Sequence, residues 1–190
     1  MIKIPYSRDE QEILLDIAKR SIRHGLSHGR ALEPDLSVYD ENLLAPAATF
    51  VTLETQGRLR GCIGTVRAIR PLLLDVAENA WSAAFQDPRF DPLSMKEFSA
   101  LEIEISILSE PELMSHSSEA DLREQVIPGS DGLIISEGTH QALFLPAVWD
   151  KLPDIHSFLS QLKLKAGLDR DYWSDTMEVK RFKTYKIHHR

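Results

Sequence analysis

One cysteine, Cys62, is all the thiol this 190-residue chain holds. A single cysteine excludes an internal disulfide and a zinc site built from cysteines, and it fits a reducing compartment. Basic residues are also in short supply: 22 Lys and Arg face 29 Asp and Glu, for a net charge of −7. A protein that grips a phosphate backbone usually carries a basic surplus, so general nucleic-acid binding is not expected. No apolar run approaches the roughly 20 residues that cross a bilayer. The stretch Met1-Ile2-Lys3-Ile4-Pro5 leads into a polar helix start with no apolar signal core. Together these predict a soluble, cytoplasmic protein. There is no Gly-x-Gly-x-x-Gly or phosphate-loop string, no repeat and no low-complexity tract, so the sequence supports no nucleotide cofactor and assigns no other.

Histidine is better represented, as His24, His28, His116, His140, His156, His188 and His189. None makes a ligand pair of the metalloprotease kind. His24 and His28 are four apart, but Gly25 falls between them, and no metal site is expected.

What the chain does have is apolar material, 43% of its residues, enough for a core without staples. Ser7-Arg8-Asp9-Glu10 has capping-box spacing and introduces a helix with Ile13, Leu14, Ile17, Ala18 and Ile22 on one side. Gly25 is placed to stop it. Residues 26–47, with Pro34 and Pro46, read as a long irregular connection. Ala48–Glu54 and Leu59–Ile63 read as a hairpin around Thr55-Gln56-Gly57-Arg58. Pro71 suits the first turn of a helix whose stripe is Leu73, Val76, Ala77, Ala80 and Ala84, and the two prolines of Asp87-Pro88-Arg89-Phe90-Asp91-Pro92 break it.

Ala100–Leu108 alternates Leu101, Ile103, Ile105 and Ile107 with Glu102, Glu104 and Ser106, the pattern of an antiparallel strand buried on one face. A short helix follows from Ser118, and a second hairpin turns at Glu137-Gly138-Thr139. Asp154 caps a helix carrying Ile155, Phe158, Leu159, Leu162 and Ala166, closed by Gly167. The tail from Met177 to Ile187 is strand-like, with Phe182 out of phase, as a bulge would leave it. Tight turns between strands predict an α+β fold with a mainly antiparallel sheet packed with helices.

The chemistry concentrates at Leu59-Arg60-Gly61-Cys62-Ile63-Gly64-Thr65. A thiol becomes a nucleophile where positive charge favours the thiolate. Arg60, two residues away, shares a strand face with Cys62 if alternation is unbroken. Gly61 and Gly64 leave room for a ligand near the backbone, and the helix near Pro71 could aim its amides at an anion. The other reading makes Cys62 a small buried or pocket-lining residue, because no base partner is visible nearby. Arg89 sits in the proline-pinned loop. Arg60 and Arg89 together suit a carboxylate or phosphate, and the alternative pairs Arg89 with Asp87 or Asp91 as a local bridge. Glu102 and Glu104 share one strand face; a solvated position suits Glu102, and Glu104 is the candidate for a site role.

The string Leu59-Arg60-Gly61-Cys62-Ile63-Gly64, with Phe50-Val51-Thr52-Leu53 before it and Asp87-Pro88-Arg89-Phe90 after it, resembles AMMECR-type domains, named AmmeMemoRadiSam system protein A in bacteria and archaea. The resemblance continues through Glu104-Ile105-Ser106-Ile107-Leu108, Asp131-Gly132-Leu133, Phe144-Leu145-Pro146 and Lys165-Ala166-Gly167-Leu168, and covers roughly residues 8 to 187 in family order. Two departures stand out. Members often carry a second cysteine where this chain has Leu162-Lys163-Leu164, and tend to have a glycine near Ala47-Ala48-Thr49.

The resemblance implies a single AMMECR-type domain over residues 1–190, with two unequal lobes and a cleft between them, a small lobe being formed by part of 109–150. It also implies a pathway shared with Memo-like and radical-SAM proteins, and it delivers no established reaction. The site expectation is therefore Cys62 as a catalytic thiol, with Arg60, Gly61, Gly64, Thr65, Arg89 and Glu104 around a small anionic substrate or modified residue. The alternative is a non-catalytic module that receives a protein partner.

Overall fold

The computed structural model describes residues 5–188. The chain divides into two compact units, one formed by residues up to Leu108 and from Tyr185 on, the other by Ser109–Thr184. Each has its own antiparallel sheet and its own core, which makes the fold α+β.

In the first unit, helix α1 (Arg8–His28) opens with the expected capping box: Glu10 N–H donates to Ser7 Oγ, and Ser7 N–H to the Glu10 carboxylate. The helix does not stop at Gly25. It runs on to His28 and ends at Gly29, whose φ of 69° is the left-handed cap. Gly25 answers a packing demand instead, because a Cβ there would lie 2.5 Å from the Trp81 and Phe85 rings. Residues 26–47 are also more ordered than a connection. They carry a helical turn at Leu36–Val38 and the short α2 (Glu41–Leu44), and they bury Leu43.

Strands β1 (Thr49–Thr55) and β2 (Arg58–Gly64) form the hairpin, turning at Gln56 and Gly57. Both turn residues have positive φ, 53° and 71°, the conformation whose twist suits a two-residue hairpin. After β2 come α3 (Leu72–Phe85), the short α4 (Met95–Phe98) and β3 (Leu101–Leu108). Strand β8 (Thr184–His188) completes the sheet in the order β2-β1-β3-β8. Val51, Leu53, Ile103, Ile105 and Ile107 share one core with the apolar stripes of α1 and α3. The opposite face of this sheet carries Thr52, Cys62 and Glu104.

The second unit holds β4 (Glu112–Leu113), α5 (Glu119–Gln125), β5 (Gly132–Glu137), β6 (His140–Phe144), α6 (Ile155–Lys165) and β7 (Glu178–Phe182). Its sheet order is β4-β7-β5-β6. The phase slip at Phe182 is not a bulge: β7 pairs with β5 in unbroken register, so Val179 enters this unit's core from one face while Phe182, on the other face, lays its ring over Gly132. Both faces of β7 thus bury an apolar residue, and β8, in the other sheet, begins at Thr184.

A buried polar knot joins α3 to the hairpin. Asp75, fully buried in the first turn of α3, accepts from Thr49 N–H, Thr49 Oγ1, Thr65 Oγ1, Arg70 Nε and Asn79 Nδ2 at 2.7–2.9 Å. The anion that this helix N-terminus favours is thus the chain's own. Replacing it would take this acceptor from Thr49, Thr65 and Arg70, and one of several from Asn79. Asp75→Ala should cost roughly 3 kcal/mol or more, read as a lowered midpoint in urea unfolding. A midpoint unchanged from the native chain would show that the knot adds nothing.

Candidate functional site

β2 lies at the edge of its sheet. Edge strands leave backbone groups unpaired, and something must cover them. At Cys62 the cover is a pair of side chains from the loop after α3. Cys62 N–H donates to Asp87 Oδ2 at 2.9 Å, and Arg89 Nη2 donates to the Cys62 carbonyl at 3.3 Å. Asp87 and Arg89 also bind each other, Nη2 to Oδ2 at 2.6 Å and Nε to Oδ1 at 2.9 Å. The fork of one residue and the carboxylate of the other replace a neighbouring strand. Arg89 holds the Asp87 carboxyl far below its usual pKa, against the opposing effect of burial; the Cys62 and Arg89 amides add to the lowering. Of the two pairings expected for Arg89, the one with Asp87 is formed.

With its backbone held, Cys62 presents a half-buried thiol on the open face. Thr52, directly opposite on β1, donates its hydroxyl to Cys62 Sγ at 3.4 Å. Glu104 stands opposite Thr52 on β3, so Cys62, Thr52 and Glu104 form one row across three strands. The Glu104 carboxylate turns to Lys186 of β8, at 3.0 Å. Glu102 is exposed, as its solvated reading required. Among the described residues no imidazole or carboxylate is hydrogen-bonded to the sulfur.

Arg60 does not join that row. The register shifts between Leu53 and Glu54: Leu53 faces Gly61 and Glu54 faces Leu59, which leaves Arg60 in a bulge. The expected sharing of a face with Cys62 depended on unbroken alternation. The guanidinium instead donates to Glu97 Oε1 at 2.7 Å and to the Asp91 carbonyl at 2.8 Å, and its Nη1 is buried without a partner. Arg60 and Arg89 do converge on one ring: their guanidinium carbons lie 5.7 and 5.5 Å from the centre of Phe90.

The room expected for a ligand at the two glycines is already filled. A Cβ at Gly61 would lie 2.1 Å from the Ala83 carbonyl of α3, and one at Gly64 would lie 2.3 Å from the Phe50 ring. Thr65 belongs to the Asp75 knot. Sequence reasoning missed Thr52 and Glu97, and saw Asp87 only as a partner for Arg89. Thr52 becomes visible only through the strand register, and Glu97 and Asp87 stand far along the chain from Arg60 and the Cys62 amide.

Glu97 ties α4 to the site through Arg60, and closes the capping box of α4 with Ser94. Arg60 first and Ser94 second lower its pKa to about 2. A depressed carboxylate contributes stability above its unfolded pKa, and that contribution is lost as pH falls through the folded value. The native chain should therefore lose stability between pH 4.5 and about 2. Glu97→Gln should be less stable at neutral pH and show a shallower loss over that window in acid-unfolding curves. Parallel curves for the two proteins would contradict the pairing.

Comparisons with known proteins agree with this architecture. The AMMECR1 family model matches residues 15–187. The protein SSO0193 of Saccharolobus solfataricus is 38% identical over 182 residues, which span 90% of this chain and 77% of that protein. A protein of Methanothermobacter thermautotrophicus is 37% identical over 189 residues, spanning 97% of this chain and 96% of its own. The crystal structure of the uncharacterized protein PH0010 from Pyrococcus horikoshii matches with a TM-score of 0.80 at 33% identity, over 93% of this chain and 89% of that one. No helix among the described residues is long and apolar enough to cross a membrane. The chain belongs to the AMMECR1 family.

Proposed function

We propose that the chain is a cysteine-dependent enzyme of group transfer or hydrolysis, with Cys62 as its nucleophile on the open face of the first sheet. The observation that carries this reading is the hydroxyl of Thr52 directed at Cys62 Sγ while Asp87 and Arg89 fix the backbone of the same residue. The Thr52 hydroxyl orients the sulfur, and Arg89 sets a positive charge at the backbone of the same residue. The thiolate attacks an electrophilic carbon or phosphorus, the leaving group departs, and a second acceptor or water releases the product. Arg89 is 54% exposed and can meet an anionic part of the substrate on its outer edge. Glu104 stands in the same row as Cys62, while Arg60, Gly61, Gly64 and Thr65 support it by holding β2 against α3 and α4. A reducing cytoplasm, in which a lone thiol stays free, suits this chemistry.

One observation favours a second reading, a non-catalytic module for a protein partner such as a Memo-like or radical-SAM protein. Both arginines already have carboxylate partners, Glu97 and Asp87. A substrate anion must compete with those partners, whereas a protein surface need not. Stable co-purification with such a partner, and no turnover, would favour the module.

Because Cys62 is the only cysteine, alkylation by iodoacetamide reads its state directly. The folded chain should react faster at neutral pH than the same chain in denaturant. Thr52→Val, which keeps the shape and removes the donor, should slow the folded reaction about three- to tenfold. A folded thiol slower than the denatured one, or a Thr52→Val rate equal to the native rate, would remove the nucleophile.

A further inference from the structure

A guanidinium carries one N–H on Nε and two on each terminal nitrogen. At Arg89 the first three are spent. Nε donates to Asp87 Oδ1 at 2.9 Å, and Nη2 donates to Asp87 Oδ2 at 2.6 Å and to the Cys62 carbonyl at 3.3 Å. Among the described residues nothing accepts from Nη1, and the side chain is 54% exposed. The Phe90 ring lies against the same group, its centre 5.5 Å from the guanidinium carbon. Carboxylate, carbonyl and ring together fix the guanidinium at the residue that carries the thiol, with one nitrogen free.

The charges around Cys62 limit what that nitrogen can serve. Arg89 faces Asp87, Arg60 faces Glu97, and Lys186 faces Glu104. Arg60 offers no second free edge, since its Nε and Nη2 are bonded and its Nη1 is buried. Glu54 and Glu102, paired across β1 and β3 one step along the open face, add negative charge. A transferring phosphoryl group spreads charge over three oxygens and needs several donors or cations around them. A carbonyl under attack develops one oxyanion, which a single fixed donor can meet. Protonating a leaving amine calls for an acid beside the nucleophile. The position beside the sulfur is held by the Thr52 hydroxyl, so the leaving group has to depart as a stable anion.

We propose that the Cys62 site takes an uncharged acyl group on a good leaving group, a thioester or an activated ester, and that Arg89 Nη1 is the donor to its carbonyl oxygen. This rests on Cys62 as the nucleophile. The thiol gives its proton to solvent. The thiolate then forms a bond to the acyl carbon, and the carbonyl π pair moves onto oxygen, where Nη1 meets it. The pair returns, the bond to the leaving group breaks, and that group departs as a thiolate or phenolate. Water attacks the new thioester carbon, Cys62 leaves as thiolate, and the proton of the water passes to solvent. Such a substrate need not displace either carboxylate from its arginine.

Three reagents test this on the full chain: p-nitrophenyl acetate, p-nitrophenyl phosphate and iodoacetamide. Alkylation by iodoacetamide develops no oxyanion, so it reports the thiol alone. The folded chain should take one acetyl group at Cys62, read by intact mass. The ratio of its acetylation rate to its alkylation rate should exceed that of the denatured chain at least about tenfold. Arg89→Gln should lower acetylation at least about tenfold and alkylation far less. The phosphate ester should leave the chain unmodified and be hydrolysed no faster than by Cys62→Ala. The comparison of folded with denatured chain needs no substitution, so it does not depend on how Arg89→Gln folds. Equal ratios in the folded and denatured chains would overturn the acyl assignment and leave the nucleophile standing. So would acetylation and alkylation falling together in a folded Arg89→Gln, or turnover of the phosphate ester that depends on Cys62. A folded thiol alkylated more slowly than the denatured one removes the nucleophile, and the acyl assignment with it.

Discussion

The site depends on an ion pair that serves as a strand. β2 ends its sheet, and at Cys62 the Asp87 carboxylate takes the backbone N–H while the Arg89 guanidinium takes the carbonyl. Each also binds the other, so the two charges are neutralised where they cover the edge. A real strand would seal the edge and extend the sheet. This pair covers one residue and stops, and the residue it covers is half-buried. Backbone rigidity and side-chain exposure at one position are otherwise hard to combine at a sheet edge.

The two faces of β2 answer different demands. Inward, Gly61 lets the strand approach the Ala83 carbonyl of α3 more closely than any side chain would allow. Outward, the bulge at Arg60 breaks the alternation and sends that guanidinium toward α4 and Asp91 instead of along the row of Cys62, Thr52 and Glu104. Beyond β2, the Asp75 knot fixes Thr49, Thr65 and Arg70 against α3. The motif that looks like a substrate loop in one dimension is largely a packing device, with one side chain, Cys62, half-buried on the other face.

Much of the fold was legible because its signals are local. The alternation of Ile103, Ile105 and Ile107 marked β3, the alanine-rich stripe marked α3, and Gln56-Gly57 marked the hairpin. What failed was set by tertiary contact. Gly25 looked like a helix stop because a glycine weakens any helix, but the rings of Trp81 and Phe85 require one there. The slip at Phe182 looked like a bulge because a sequence pattern does not reveal that β7 buries an apolar residue on each face. At the site, Cys62 and Arg89 could be singled out by type and setting. Thr52 could not, since only the register brings its hydroxyl to the sulfur, and Glu97 reaches Arg60 only through folding.

Native-state hydrogen exchange at the Cys62 amide tests the central claim most directly. If the Asp87 carboxylate holds that N–H, the amide exchanges slowly although it lies on an edge strand. Asp87→Ala then releases it while β1 and β3 keep their protection. An amide in the native chain that exchanges as fast as an unstructured one, or that is indifferent to Asp87, would contradict the account.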